Sequence, residues 1–148
     1  MERVAAGSTV LERSVAVRAA ADEVWRVLVD PEQQPRWLGG FRFATTWEVG
    51  GAFALGGVLN AAEYREPGTL LALEPPRLLR YDHWSALWGV PDGPGNRAVL
   101  TLTVAPTAEG CTVALHHVLP DVKALPQHAG FFWRGALHQL RRLAEGTD

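Results

Sequence analysis

The length, composition and charge of the chain restrict the class of protein before any motif is considered. Of its 148 residues, 47% are hydrophobic and 20% charged, which predicts one globular domain over residues 1–148. The net charge of −2 offers no basic excess for phosphate contacts, so we expect no nucleic-acid partner. A single cysteine allows no internal disulfide, and no apolar run approaches the ~20 residues of a membrane span. We therefore expect a soluble, cytoplasmic protein, and a composition with only one lysine suggests a GC-rich bacterial genome.

The first 40 residues predict a strand followed by two short helices. Apolar and polar residues alternate over Val10–Arg18, the pattern of a strand with one wet face. The spacing then becomes helical in AADEVWRVLV. The next segment, DPEQQPRWLGG, predicts a second short helix, with Asp30 as N-cap and Gly39–Gly40 as the stop.

Short β-rich runs separated by turn residues fill the middle of the chain. The runs are Phe41–Trp47, Ala52–Val58, Ala61–Arg65, Thr69–Glu74, Leu78–Trp84, Arg97–Ala105 and Cys111–Val118. Their hairpin spacing predicts a meandering antiparallel sheet. The glycine pairs Gly50–Gly51 and Gly56–Gly57 are the expected bends of that sheet.

The last segment predicts a long amphipathic helix. Its apolar residues recur at helical spacing: Ala129, Phe132, Trp133, Ala136, Leu137, Leu140, Leu143 and Ala144. Phe131 falls at the edge of this stripe. The order of elements is that of an α+β fold: two short helices after the first strand, then a curved antiparallel sheet of six to seven strands around the C-terminal helix.

At this level of detail the chain resembles a known superfamily. The segments VWRVLVDPEQQPRW, VGGAF, EPPRLLRYDHW and GCTVALHH, followed by the spacing of Trp133, Leu137 and Leu140, occur in the order found in the START-like (SRPBCC, Bet v-like) superfamily. Within it, the chain looks most like the family of the C-terminal domain of the activator of the heat-shock protein 90 ATPase. The resemblance implies a helix-grip fold with a space between the sheet and the last helix. Phe132 stands where a glycine is usual, which makes the helix face bulkier.

Eight residues are the candidate walls of that space. Alternation along the strands turns Tyr81, His83 and His117 inward, and Tyr64 joins them as a candidate polar group. The apolar candidates are Trp88, Phe132, Trp133 and Leu137.

Each candidate has a structural interpretation beside the functional one. His117 is either a hydrogen-bonded inner histidine or a polar contact for a ligand. Trp88 either covers the core under a loop or gates a ligand or partner site. Phe132 and Trp133 either line the space or fill it, and a filled space would leave no ligand site.

The sequence gives weaker evidence for a metal site or a catalytic nucleophile than for a binding cavity. His116 and His117 are adjacent on a strand and point to opposite faces, so they cannot bind one metal together. Cys111 follows Gly110 at a strand start, where a small packed residue is expected rather than a nucleophile. We therefore expect no metal site and no cofactor.

Three functional hypotheses remain. The first is a non-enzymatic or weakly enzymatic protein that binds a small hydrophobic or aromatic molecule between the sheet and the last helix. The second is an enzyme resembling the polyketide cyclases and dehydratases of the superfamily, with His83, His117 and Tyr81 as its acid–base set. The third is an interaction module, a chaperone partner or a homodimer, that uses Trp88. The resemblance favours the first hypothesis.

Overall fold

The computed structural model describes residues 7–146, and their helices and strands follow the predicted order. The elements are β1 (Thr9–Val17), α1 (Ala21–Val29), α2 (Gln34–Trp37), β2 (Arg42–Thr45), β3 (Phe53–Leu59), β4 (Ala62–Glu66), β5 (Gly68–Glu74), β6 (Leu78–His83), β7 (Ala98–Thr107), β8 (Gly110–Leu119) and α3 (Leu125–Glu145). A short 3₁₀ turn, Ala86–Trp88, follows β6. The helix-grip architecture, an antiparallel sheet with a long C-terminal helix, is therefore confirmed.

The sheet is built in two sections. One has five strands in the order β1-β8-β7-β6-β5, and the other has three in the order β2-β3-β4, all antiparallel. The eight strands are one more than the upper end of the expected range. A single bridge between Ala52 and Thr69 connects the sections beyond the named strands.

The sections meet at Pro67–Gly68 and also at the first of the two glycine pairs, where the Gly50 amide donates to the Leu70 carbonyl (2.8 Å) and the Leu70 amide donates to the Gly51 carbonyl (3.0 Å). Gly50–Gly51 lies in the turn between β2 and β3, and Gly56–Gly57 lies within β3. At Gly68 a Cβ atom would lie 1.9 Å from the carbonyl oxygen of Asp82, so the close approach of two backbones requires a glycine.

Helix α3 packs its predicted apolar stripe onto the sheet. Trp133, Ala136 and Leu140 are buried, whereas Phe131 is 82% exposed. The helix ends at Gly146, whose backbone lies in the left-handed region with φ of 75° and donates to the carbonyls of Arg142 and Leu143. Local periodicity therefore predicted this element correctly.

Helix α2 begins later than the sequence suggested. Asp30 accepts a hydrogen bond from the Glu32 amide, but the helix starts only at Gln34. The buried Gln34 side chain accepts from the Phe43 amide (3.0 Å) and donates to the Leu28 carbonyl (3.2 Å). It thereby joins α1, α2 and β2. Within residues 7–146, none of the helices has the length and apolar character needed to cross a membrane.

Candidate functional site

A cavity of about 610 Å³ lies between the two sheet sections and helix α3. Its volume falls within the range of roughly 300–1,000 Å³ typical of small-molecule sites. Its walls come from β3, β4, β6, β8, the 3₁₀ turn and α3; the lining residues are Phe41, Leu55, Leu59, Tyr64, Glu66, Tyr81, His83, Ser85, Leu87, Trp88, His117, Val122, Lys123, Leu125, His128, Ala129, Phe132 and Trp133. Leu87, Lys123 and His128 are exposed and form the rim.

The structure brings seven of the eight candidate residues to the cavity wall: Tyr64, Tyr81, His83, Trp88, His117, Phe132 and Trp133. Leu137 is not among them. It lies one turn further along α3, is 3% exposed and belongs to the hydrophobic core. Trp133 is 4% exposed and still leaves the space open, so the aromatic rings of α3 line the cavity without filling it.

Strand order brings the two inner histidines together although their strands are not neighbours. β7 lies between β6 and β8. His83 pairs with Ala98 on β7, and His117 pairs with Leu100. Ala98 has a small side chain, which leaves room for the imidazoles to meet across β7. Their Nε2 atoms are 3.1 Å apart.

A carboxylate completes a row of three polar side chains. Glu66 Oε1 lies 2.9 Å from His83 Nδ1, at the far side of the imidazole from His117. The side chains of His83 and Glu66 are 12% and 15% exposed, so the pair is largely shielded from solvent. The row Glu66–His83–His117 therefore runs along the cavity wall from β4 through β6 to β8.

Hydrogen bonds to Tyr64 hold the carboxylate in place. The Tyr64 hydroxyl donates to Glu66 Oε2 at 2.7 Å and contacts the Ser85 hydroxyl. Ser85 Oγ in turn accepts from the Leu87 amide at 3.1 Å. These contacts tie the row to the turn that carries Trp88.

Sequence reasoning missed Glu66 and Ser85. Glu66 follows Tyr64 by two residues on β4, so alternation alone would have placed it on the same face. Ser85 has no such signal, because it lies after the end of β6 and its position depends on how the loop folds.

His117 is neutral in the folded protein. It is 3% exposed, and burial, with smaller contributions from His83 and His116, holds the pKa of His117 well below its usual range. Its Nδ1 is buried and has no hydrogen-bond partner among the residues that the structure describes. Such an atom is costly to bury alone, which makes it a candidate contact for a bound molecule.

The two cavity tyrosines are also protonated. Burial raises the pKa of Tyr64 and of Tyr81, and the nearby Glu66 carboxylate adds to the increase in both. Tyr81 stacks on Phe53 with ring centroids 4.3 Å apart, which fixes its orientation. Both side chains are therefore neutral polar groups near neutral pH.

The remaining aromatic residues of the loop have different surroundings. The Trp88 ring packs edge-on against His83, with centroids 5.5 Å apart, and is half-buried at the cavity wall. Trp84 does not line the cavity; its indole donates to the Val90 carbonyl at 2.9 Å. Trp84 thus supports the loop between β6 and β7.

Other chemistry has little structural support. Cys111 is 1% exposed, and burial raises the pKa of its thiol, which disfavours the nucleophilic thiolate. Among residues 7–146, no group of three His, Cys, Asp or Glu side chains has an arrangement that could hold a metal ion. The row Glu66–His83–His117 is therefore the part of the cavity best suited to acid–base chemistry.

A curved antiparallel sheet, a long C-terminal helix and a cavity between them define the helix-grip fold of the START-like superfamily. Residues 8–145 match the family model described as polyketide cyclase / dehydrase and lipid transport, and the chain belongs to that family. The narrower resemblance to the activator of the heat-shock protein 90 ATPase remains a prediction, as do the cytoplasmic location and a chaperone or homodimer contact through Trp88.

Solved structures share the fold. The chain is similar to protein ChR145 from Cytophaga hutchinsonii, with 26% identity and a TM-score of 0.77 over 93% of this chain and 94% of that one. It is similar to protein CV1439 from Chromobacterium violaceum, with 24% identity and a TM-score of 0.75 over 92% and 96%. Ara h 8.0201 has a TM-score of 0.70 over 94% and 99% at 8% identity. A search of curated proteins found no match.

Proposed function

We propose that this protein binds a small hydrophobic or aromatic molecule in the cavity between the sheet and α3. The observation that supports the proposal is the cavity itself, about 610 Å³ in volume, with mostly apolar and aromatic walls and a few polar groups on one side. Membership of a family described by polyketide cyclase and lipid transport activities agrees with a ligand of this kind.

Burial of the ligand would supply most of the affinity. Each 100 Å² of apolar ligand surface removed from water contributes about 2.5 kcal/mol before the entropy cost of association. Rings that already line the wall, such as Phe132 and Trp133, need little ordering to make this contact. Tyr64, Tyr81, His83 and His117 would orient the molecule.

Native mass spectrometry of the freshly purified protein, followed by organic extraction, tests the proposal. We expect a reproducible extra mass that is released on denaturation, or that returns when the protein is incubated with hydrophobic aromatic compounds. A protein that retains no such mass and binds none of these compounds would overturn the proposal.

A matched pair of variants locates the binding site. Phe132→Trp adds bulk to the cavity wall and should weaken binding by at least about tenfold, because it occupies the space of the ligand. Phe131→Trp makes a similar change on the next residue, whose side chain is 82% exposed, and should bind as the wild type does. Equal binding by both variants would place the ligand elsewhere.

An enzyme of the cyclase or dehydratase type is the second candidate. The row Glu66–His83–His117 favours it, because a carboxylate, a histidine and a second histidine in hydrogen-bond contact form an acid–base system. The sequence also proposed Tyr81 for the acid–base set of such an enzyme. Burial raises the pKa of Tyr81, which makes its hydroxyl a poor acid near neutral pH.

A further inference from the structure

We propose that the row Glu66–His83–His117 is a proton relay that accepts the hydroxyl proton of a phenolic or enolic ligand at Nδ1 of His117. The proposal rests on the proposed function, since it needs a ligand in the cavity. It goes further by naming the group that the ligand must carry, the atom that contacts it and the class of reaction. His117 is then a catalytic residue, and His83 and Glu66 are positioning residues that act through it.

The hydrogen bonds determine where the protons lie before a ligand binds. A carboxylate only accepts, so Nδ1 of His83 carries the proton shared with Glu66. A neutral His83 then has a lone pair at Nε2, and the contact of 3.1 Å requires that His117 donate its own Nε2–H. His117 is neutral, so its Nδ1 is left as a lone pair.

That lone pair is the atom available to a ligand. His117 lines the cavity, its Nε2 is occupied by His83, and its Nδ1 is buried with no partner among the described residues. An apolar molecule would leave Nδ1 unsatisfied, whereas a hydroxyl group would donate to it. The cavity therefore selects a ligand with a hydrogen-bond donor at this position.

The proton transfer balances without another reactant. The O–H bond of the ligand breaks and an N–H bond forms at Nδ1 of His117. The Nε2–H bond of His117 breaks, and an N–H bond forms at Nε2 of His83. The ligand becomes an oxyanion, His117 remains neutral as its other tautomer, and His83 becomes an imidazolium beside the Glu66 carboxylate. Reversal of the same steps returns the proton.

The relay leaves the positive charge on His83, beside the Glu66 carboxylate, and not on the buried His117. His117 is too deeply buried to remain charged, as the lowered pKa of its imidazole indicates. His83 is in direct contact with Glu66, and the carboxylate stabilises its imidazolium. The other titratable groups near the row are Tyr64, Tyr81, Lys123 and His128 at the cavity wall and rim, and His116 on the opposite face of β8. The oxyanion formed is the nucleophilic form of a phenol or enol.

Two probes that differ only at the hydroxyl test the inference: 4-nitrophenol and its methyl ether, 4-nitroanisole. Quenching of tryptophan fluorescence measures the affinity of each probe, and visible absorption shows whether bound nitrophenol is a phenolate. We expect the wild type to prefer 4-nitrophenol by about tenfold and to hold part of it as phenolate at a pH where the free probe is mainly phenol.

Three variants separate the roles of the residues. His117→Phe should bind both probes equally and lose the phenolate band. Glu66→Gln should keep the preference for the hydroxyl but lose most of the phenolate, because the imidazolium is no longer stabilised. His116→Phe changes the adjacent histidine on the other face of β8 and should match the wild type. The Glu66→Gln result remains informative even if His117→Phe fails to fold.

The outcomes distinguish failure of this inference from failure of the proposed function. Binding of neither probe overturns the relay, whereas the proposed function is decided separately by native mass spectrometry of the purified protein. Equal binding of both probes by the wild type supports the cavity as a ligand site and overturns the role of His117. If the wild type prefers 4-nitrophenol but shows no phenolate band, or shows one that none of the variants alters, the result supports hydrogen bonding to His117 but overturns the proton relay.

Discussion

His117 is the residue that connects the stability of the fold with the proposed function. Its imidazole is 3% exposed, makes one hydrogen bond through Nε2 and leaves Nδ1 without a partner in the described part of the chain. A residue chosen for stability alone at this position would be apolar, like Leu115 two residues earlier on the same face. The cost of burying the unsatisfied nitrogen points to a role in the cavity.

The pH dependence of stability tests the neutral state of His117. Its pKa is lowered in the folded protein, so the unfolded chain takes up a proton first as the pH falls. Stability from this residue is complete above the unfolded pKa of about 6.5 and declines below it, by up to about 1.4 kcal/mol per pH unit. We expect urea unfolding between pH 7 and 5 to show this loss in the wild type and a smaller one in His117→Phe.

His116→Phe provides the control for this measurement. It removes the half-buried histidine from the opposite face of the same strand, and it should keep most of the wild-type loss of stability between pH 7 and 5, because His116 makes only a smaller contribution to the lowered pKa of His117. If the wild type and His117→Phe lose the same free energy of unfolding between pH 7 and 5, then His117 becomes protonated in the folded protein without cost.

At the scale of elements, the fold depends on two contacts that have different origins. Helix α3 is held by the regular burial of its apolar stripe. The two sheet sections approach each other at Gly68 of β5, where a Cβ atom would lie 2.9 Å from the carbonyl oxygen of Phe53 on β3 and 1.9 Å from that of Asp82 on the neighbouring β6. The first contact depends on side-chain volume, and the second on the absence of a side chain.

Truncation of the stripe should destabilise the protein in proportion to burial. Leu140 is fully buried, so Leu140→Ala should lower the free energy of unfolding by about 2–5 kcal/mol through lost contact and a residual cavity. Phe131→Ala removes a larger side chain that is 82% exposed and should change stability by about 0.5 kcal/mol or less. Chemical denaturation measures both, and comparable losses would contradict the observed orientation of α3.

Substitution at the junction of the two sections tests the need for a glycine. In Gly68→Ala the new Cβ would overlap the Asp82 carbonyl, so we expect a loss of about 3 kcal/mol or failure to fold. At Gly56 the nearest atom to a new Cβ, the Tyr64 carbonyl oxygen, is 3.8 Å away, so Gly56→Ala should change stability by no more than about 1 kcal/mol. Similar denaturation curves for the two variants would contradict the geometry at Gly68.

At the scale of the whole molecule, the cavity provides space for a ligand at the expense of packing contacts inside the domain. A closely packed interior has few spaces larger than a water molecule, whereas this domain leaves about 610 Å³ between its sheet and its helix. The rings on its wall, including Phe132 and Trp133, are thereby left without part of their packing partners. A ligand that fills the space should restore those contacts and stabilise the fold.

Thermal unfolding with a bound ligand measures this effect. At a free ligand concentration of 100 times Kd, the folded state gains about 2.7 kcal/mol, which should raise Tm by about 8 °C for a domain of this size. Phe132→Trp should show a much smaller shift at the same ligand concentration, and Phe131→Trp the full one. An unchanged Tm for a ligand of known affinity would indicate binding to the unfolded chain as well.

The sequence by itself determined the elements whose signals are local. The alternation in β6 and β8 and the apolar stripe of α3 predicted which side chains face inward, because a strand repeats every two residues and a helix every 3.6. Seven of the eight candidate residues line the cavity, and the helix-grip fold followed from the resemblance to the START-like superfamily. Leu137 lies in the hydrophobic core and not at the cavity wall, because the periodicity of α3 shows that it is buried but not which part of the helix faces the cavity.

Only the tertiary structure decided how the polar residues meet. Glu66 reaches His83 because β4 and β6, in different sheet sections, come together at Pro67–Gly68. His83 reaches His117 across the intervening β7. Both contacts join strands that are distant in the chain, and no local spacing encodes them. The physical reason is that periodicity sets the face on which a side chain lies, whereas the path of the backbone sets its neighbours.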